Sequence, residues 1–318
     1  MLLESVLMGV LNVAESVYVV ADRIRRLEIQ GARNVAIAAV KALEEIGLQT
    51  KARNRQTFIE ELVKARDVLY ATRPTEPLMR NGIKWIITSV ESSQRSEVKA
   101  LKRIVSSSVC EFLTALERSR ECIAEIGTRR INDGIVVFTH CHSSTVTHLL
   151  ERAKKVGKKF KVICTETRPL FQGRITAQEM LDLGIETTLI VDSASRFFMK
   201  HADIVIVGAD AISAEGNVVN KIGTAAIAVL AQEARVPFYV VSELLKFDSV
   251  TLCGEYEEIE ERGREEIWKG ASKKLAIRNP AFEVIRRDFI HGIICEEGII
   301  PPHSINETMR RNYPWVFS

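Results

Sequence analysis

The spacing of apolar residues changes character once along the chain, near Gly127, and that change restricts the fold more than any other feature of the sequence. Before it, Val13, Val17, Val20, Ile24 and Leu27 recur at intervals of three and four with charged residues between them, the pattern of amphipathic helices. After it come short β-branched runs at 135–138, 161–165, 187–191, 204–207, 238–241 and 290–295. Runs that are apolar throughout suit strands buried on both faces of a parallel sheet. The stretches between them, such as 145–156, 177–183 and 224–233, have helical spacing, so βαβ units follow. The expected fold class is α/β: an N-terminal helical domain over 1–127, then a Rossmann-like, doubly wound, mainly parallel sheet over 128–318. Gly31-Ala32 and Thr72-Arg73-Pro74-Thr75 interrupt the helical half as loops, the second because proline disfavours helical geometry in the residue before it. Residues 254–285, rich in Glu, Arg and Lys, carry no strand signal and read as an excursion before the last strand.

Composition narrows the function classes. With 46% hydrophobic and 27% charged residues the chain is neither fibrous nor disordered. Its 44 basic and 41 acidic residues are interspersed and leave a net +3, which does not announce nucleic acid as a partner. The six cysteines include no Cys-x-x-Cys pair and are too sparse for a disulfide framework, so a reducing cytoplasm is the expected setting. Leu2 to Val20 is apolar, but Glu4 and Glu15 interrupt it and no basic residue precedes it. It therefore reads as an amphipathic helix rather than a signal peptide or anchor, and no membrane association is expected.

Two apolar runs end in acid-base groups. Run 135–138 leads into Thr139-His140-Cys141-His142-Ser143-Ser144-Thr145, and run 204–207 leads into Gly208-Ala209-Asp210. The carboxyl ends of parallel strands are where an open α/β sheet places its ligand, so Cys141 and Asp210 are expected to face one substrate. Cys141 is a nucleophile, an acid-base thiol or an inert core residue; its place before a helix start favours ionisation. His140 and His142 raise a metal reading, but neighbouring strand residues point to opposite faces and no second Cys/His cluster exists, so no metal is expected. Ser143, Ser144 and Thr145 offer hydroxyls and N–H groups at a helix start, suited to a phosphate or to an ordinary cap. Asp210, with no basic neighbour in sequence, is either a desolvated acid or a turn aspartate. Asn220-Lys221-Ile222-Gly223-Thr224 reads as a second helix start able to bind phosphate or sugar hydroxyls. Lys246 follows the run at 238–241 and is directed to the same crevice. Arg73 and Arg168 each precede a proline; both suit a phosphate, and Arg168 could equally pair with Glu166. Gly-x-Gly-x-x-Gly and Walker sequences are absent, which removes the main support for dinucleotide or ATP binding, and no cofactor is expected.

These motifs occur together in a known arrangement. Thr-His-Cys-His-Ser, Thr165-Glu166-Thr167-Arg168-Pro169 with Gln172-Gly173, Val191-Asp192-Ser193-Ala194, Val207-Gly208-Ala209-Asp210, Asn220-Lys221-Ile222-Gly223-Thr224 and Glu243 with Lys246-Phe247 stand in order. From about Glu28 to Pro302 the chain resembles the superfamily that joins archaeal ribose 1,5-bisphosphate isomerases, methylthioribose-1-phosphate isomerases and the α, β and δ regulatory subunits of translation initiation factor 2B. The resemblance implies a catalytic cysteine and aspartate at Cys141 and Asp210, positions that the regulatory branch usually replaces. It further implies substrate contacts at Gln30, Gly31, Ala32, Arg33, Arg73, Ser143, Ser144, Thr145, Asn220, Lys221 and Lys246. Ala211 and Lys246-Phe247 favour the bisphosphate branch over the methylthioribose branch, which typically has Arg after the aspartate and lacks the Lys-Phe pair. Gln30 where the isomerases usually have Arg, and Ser144 where a bisphosphate isomerase carries Lys, are departures that bear on the phosphates.

The expected activity is conversion of ribose 1,5-bisphosphate to ribulose 1,5-bisphosphate, which by family implication belongs to nucleotide salvage. In the expected mechanism Asp210 donates to the ring oxygen and a Cys141 thiolate removes the proton on carbon 2; a hydride shift is the other route. The helical half reads as a lid that excludes water. The expected partners are a small sugar phosphate and further copies of the chain, as a dimer or an assembly of dimers. Initiation factor 2 is a partner only under the competing reading, a non-catalytic subunit; another aldose-1-phosphate isomerase is the third.

Overall fold

The computed structural model describes residues 17–73, 76–254 and 259–317, so the expectations for Val13, for the helix before Val17 and for Pro74 and Thr75 lie outside the described residues. The chain forms two compact units: Met1–Arg73 with Met79–Leu113, and Pro74–Leu78 with Thr114–Ser318.

The first unit is helical. It is built on α1 (Val17–Arg25), α2 (Ala32–Gln49), α3 (Arg55–Tyr70), α4 (Pro77–Glu91) and the first half of α5 (Val98–Thr128). The amphipathic spacing has its direct consequence here: Val17, Val20, Ala21 and Ile24 are the buried face of α1, and Phe58, Leu62, Ala65 and Leu69 that of α3. Asn54 caps α3 by accepting the Thr57 N–H at 2.9 Å. The sequence pattern changes at Gly127, in the last turn of α5, whereas the compact units part further back in α5 at Leu113/Thr114. The far end of this helix, with Ile123 and Ala124, packs into the second unit's core.

The second unit carries β1 (Val136–Thr139), α6 (Ser144–Lys155), β2 (Lys161–Thr165), α7 (Gly173–Asp182), β3 (Glu186–Ile190), α8 (Ser195–Met199) and β4 (Ile204–Val207). There follow β5 (Ala211–Ser213), β6 (Val218–Lys221), α9 (Thr224–Ala234), β7 (Phe238–Val241) and β8 (Phe247–Asp248). β9 (Phe282–Ile285), β10 (Gly292–Cys295), β11 (Gly298–Ile300) and α10 (Ile305–Asn312) complete it. Seven strands make one sheet in the order β11-β10-β7-β4-β1-β2-β3, parallel except for β11. The apolar runs read from the sequence are its six parallel strands, within a residue or two at each end. The central strands are apolar throughout because each serves two cores: Phe138, Val205 and Val207 pack on one face, Val137, Ile204 and Ile206 on the other, while the edge strand β3 is largely exposed.

A second sheet, β8-β5-β6-β9, has no counterpart in the sequence reading. It corrects the expectation that 254–285 lacks a strand: Phe282–Ile285 pairs antiparallel with Val218–Lys221. Two of its strands have only two and three residues, too short for any alternation to register. In β9 the half-buried Glu283 and exposed Val284 between buried Phe282 and Ile285 break the alternation that a strand would show.

Among the described residues no helix is long and apolar enough to cross a membrane.

Candidate active site

The strand order reverses at β1. From it the chain proceeds to β2 and β3 on one side, and β4, β7 and β10 lie on the other. A crevice at the carboxyl ends of the strands on either side of such a reversal is the ligand position of open α/β sheets. Those strands are β1 and β4, paired in parallel with Val137 opposite Ile204, and the residues that follow them are His140-Cys141 and Gly208-Ala209-Asp210. The two loops also touch: a Cβ on Gly208 would stand 2.5 Å from the Ser143 Oγ, so glycine is what lets the end of β4 lie under the Cys141 loop.

Cys141 leaves the strand in the left-handed region, at φ 66°, and three side chains hold it there. Its N–H donates to the Thr167 Oγ1 at 2.9 Å, its carbonyl accepts from the Thr176 Oγ1 at 2.9 Å, and its thiol approaches the Gln172 Oε1 at 3.8 Å. Thr167 is fixed in turn, because Asp192 accepts the Thr167 and Arg168 N–H groups at 2.8 and 2.7 Å. Burial pushes the Cys141 thiol up to about 11; the Lys221 ammonium opposes this, while Asp210 and Asp192 add to it. The expected thiolate is thereby corrected. Proximity to a helix start is outweighed by desolvation, and Cys141 is a thiol at neutral pH.

The flanking histidines face different partners. His140 is buried between the Thr165 Oγ1 (2.6 Å from Nδ1) and the Ile222 carbonyl (2.9 Å from Nε2). A carbonyl only accepts, so Nε2 carries the hydrogen; burial, the main cause, lowers the pKa and keeps the ring neutral. His142 turns toward Thr176 and Glu179. Among the described residues no group of three His, Cys, Asp or Glu is placed to hold a metal ion.

Asn220 and Lys221 end β6, beside Asp210, whose N–H donates to the Val219 carbonyl at 2.9 Å. The reading of this motif as an open helix start is corrected. The Glu283 carboxylate already accepts the Gly223 and Ala225 N–H groups at the start of α9, leaving no room for a phosphate there. Asn220 is only 6% exposed, and its Nδ2 has no hydrogen-bond partner. A buried amide donor left unsatisfied costs about 1–3 kcal/mol, so this one suits a ligand oxygen. The Lys221 ammonium lies 4.6 Å from the centre of the Phe282 ring.

Lys246 is 4% exposed and held inside the fold, 3.1 Å from the Glu243 Oε2, and it donates to the Ala209 carbonyl at 2.9 Å. Thr145 is also turned inward, donating to the Glu243 Oε1 at 3.3 Å. Ser143 precedes α6 without a side-chain capping bond, and Ser144 opens the helix. Arg168 lies over Phe171, while Glu166 pairs with Arg174 at 2.9 Å, so the expected Arg168–Glu166 pair is not formed.

Gln30, Gly31, Ala32, Arg33 and Arg73 belong to the first unit. Gln30 spends its amide on the Leu27 carbonyl at 2.6 Å, Gly31 adopts φ 82° ahead of α2, and Ala32, Arg33 and Arg73 are buried. The residues that sequence reasoning missed are Thr167, Gln172, Thr176, Asp192 and Glu243. The first four lie within Thr165-Glu166-Thr167-Arg168-Pro169, Gln172-Gly173, the helix after it and Val191-Asp192-Ser193-Ala194, and their only signal was membership of, or closeness to, those motifs.

The end of β10 adds a second buried acid. Glu296 accepts from the Leu244 N–H at 3.1 Å and from the Tyr313 hydroxyl at 2.9 Å, yet burial pushes its carboxyl up to about 7 against its favourable hydrogen bonds. The folded state binds this proton more tightly than the unfolded chain, so stability is lost as pH rises from the ordinary carboxylate range through about 7. Glu296→Gln is expected to abolish that loss, gaining about 2–3 kcal/mol on the parent between about pH 5 and about pH 8 in urea unfolding curves. Parallel curves for parent and variant across that window would refute it.

An open, mainly parallel sheet with Cys141 and Asp210 following the two strands at its order reversal defines a protein of the α/β class with a ligand crevice at that point. The profile of the initiation factor 2 subunit family matches residues 28–302. The chain is 40% identical to the ribose 1,5-bisphosphate isomerase of Methanocaldococcus jannaschii over 93% of its own length and 94% of that protein. It is 41% identical to the ribose 1,5-bisphosphate isomerase of Archaeoglobus fulgidus, covering 91% and 90%. The crystal structure of the Pyrococcus horikoshii OT3 translation initiation factor eIF-2B superposes with a TM-score of 0.78 at 31% identity, covering 90% of this chain and 97% of that one. The chain belongs to the initiation factor 2 subunit family and, within it, is an isomerase.

Proposed function

We propose that the protein is a sugar-phosphate isomerase that converts ribose 1,5-bisphosphate to ribulose 1,5-bisphosphate with Cys141 and Asp210 as its acid-base pair. The observation that carries this reading is the placement of a thiol and a carboxylate at the ends of adjacent parallel strands, near enough for one to shift the other's titration. The two relatives named ribose 1,5-bisphosphate isomerase, at 40% and 41% identity, support the choice of substrate.

The pair holds one exchangeable proton, which rests on sulfur. It passes first to Asp210, a transfer that the nearby Lys221 ammonium makes less unfavourable by stabilising the thiolate. Asp210 then gives the proton to the ring oxygen as the bond from that oxygen to carbon 1 breaks, and sulfur takes the hydrogen on carbon 2, leaving an enol phosphate. Sulfur returns its proton to carbon 1 while the hydroxyl proton on carbon 2 passes to Asp210, which yields the 2-ketone and restores the pair. Asn220 and Lys221 contact the sugar or its phosphate beside Asp210, and Ser143 and Ser144 do so beside Cys141. Lys246 supports Asp210 through its hydrogen bond to the Ala209 carbonyl.

The test is a substrate panel with purified protein: ribose 1,5-bisphosphate, methylthioribose 1-phosphate and ribose 5-phosphate, with the ketose read by NMR. Turnover of the bisphosphate well above the other two is expected. Turnover of methylthioribose 1-phosphate in its place would overturn the substrate assignment, and no turnover of any would overturn the catalytic one.

A further inference from the structure

One buried charged group near the site has no part in the chemistry above. Glu243 is fully buried at the end of β7, and β4 separates β7 from β1 in the sheet. Its two oxygens face opposite ways along the row of strand ends. One accepts from the Thr145 hydroxyl, in the first turn of α6, which follows the Cys141 loop. The other holds the Lys246 ammonium, and that ammonium donates to the Ala209 carbonyl. This carbonyl belongs to the same peptide unit as the Asp210 N–H, which is bound to Val219. The peptide bearing Asp210 is therefore gripped on both edges, and the grip runs through Glu243 to the turn after Cys141. One ammonium hydrogen of Lys246 is committed to the Ala209 carbonyl, and its charge is paired with the Glu243 carboxylate at 3.1 Å.

We infer that Glu243 is a positioning residue: with Thr145 and Lys246 it forms a buried strut across the strand ends that sets the spacing of Cys141 and Asp210. The inference rests on the assignment of those two residues as the acid-base pair. A buried ammonium needs an opposite charge beside it, and a carboxylate with two oxygens satisfies Lys246 and Thr145 together, which no neutral side chain of this size does. Fixing the separation of two groups that exchange a proton affects the chemical step more than the binding of a substrate whose phosphates are held elsewhere.

The experiment has two arms. In steady-state kinetics with ribose 1,5-bisphosphate, Glu243→Gln is expected to lower kcat by about 10- to 100-fold with KM within about 3-fold of the parent. Thr145→Val, which removes one hydroxyl and keeps the shape, is expected to lower kcat by about 3- to 10-fold and serves as the test if the first variant does not fold. The second arm needs no turnover: alkylation of Cys141 by iodoacetamide at one alkaline pH, followed by mass spectrometry of its peptide. Burial is the main cause that holds the proton on this thiol and the Asp210 charge adds to it, so Asp210→Asn is expected to speed alkylation in the parent. In the Glu243→Gln or Thr145→Val background the same change is expected to have less than half that effect on a logarithmic scale. Equal acceleration in all backgrounds, or a kcat unchanged in both variants, would overturn the strut. A parent that does not turn over the bisphosphate but loses the alkylation coupling in the variants would refute the substrate reading and leave the strut standing.

Discussion

Cys141→Ser and Asp210→Asn are each expected to reduce turnover of ribose 1,5-bisphosphate by about 100- to 10,000-fold, the range for removal of one general acid-base group. The hydroxyl of serine is far less acidic than a thiol and cannot take the hydrogen from carbon 2; asparagine cannot carry a proton to the ring oxygen. The two residues act on one proton, so the double variant is expected to be little worse than either single one. Cys110→Ser, at an exposed position, is the control and is expected to keep parental turnover. The pH profile gives a sharper check. The pair works only while it holds its single proton, so activity is expected to persist into the alkaline range and to fall as pH rises through about 11, where burial sets the thiol. In heavy water the proton that sulfur returns to carbon 1 exchanges with solvent to the extent that water reaches the thiol, and deuterium there separates proton transfer from a hydride shift. Near-parental kcat in either single variant would remove the residue concerned from the mechanism.

The largest effect on stability is expected from Gly173→Ala. A Cβ at this position would stand 1.7 Å from the Thr165 carbonyl oxygen and 2.9 Å from its carbon, with the Thr167 Oγ1 at 3.0 Å. The obstacle is backbone at the end of a central strand, fixed by pairing with β1 and β3, so it cannot rotate away as a side chain would. Overpacking of a core typically costs about 1–3 kcal/mol, and a contact this close to an immobile carbonyl puts the cost at or above about 3 kcal/mol. The loss extends to the site, because relief requires the start of α7 to shift, and Gln172 and Thr176, which flank Gly173, hold the Cys141 thiol and carbonyl. Urea unfolding measures the first effect and kcat/KM the second. A variant within about 1 kcal/mol of the parent would show that α7 is not pinned to β2 as described.

Much of this molecule was legible without coordinates. The central parallel strands were readable because burial on both faces requires an apolar run, and 204–207 and 238–241 coincide with the observed strands; the edge strand β3, largely exposed, was readable from its β-branched residues. The short strands of the second sheet were not, since β5 and β8 are shorter than one cycle of any pattern and in β9 the half-buried Glu283 and exposed Val284 break the alternation. The motif does start a helix, at Thr224, but that sheet holds Asn220 and Lys221 at the end of β6, and the N–H groups of the helix start are taken by Glu283, a residue sixty positions away.

By itself the sequence determined which residues follow the buried strands, and so that Cys141 and Asp210 come after the two strands at the reversal of strand order, because local apolar runs dictate the sheet. Only the tertiary structure decided the protonation of the thiol and the burial of Lys246 against Glu243. Desolvation and ion pairing are set by whatever the fold brings around a group, and here the partners, Thr145 and Glu243 among them, lie 98 positions apart in the chain.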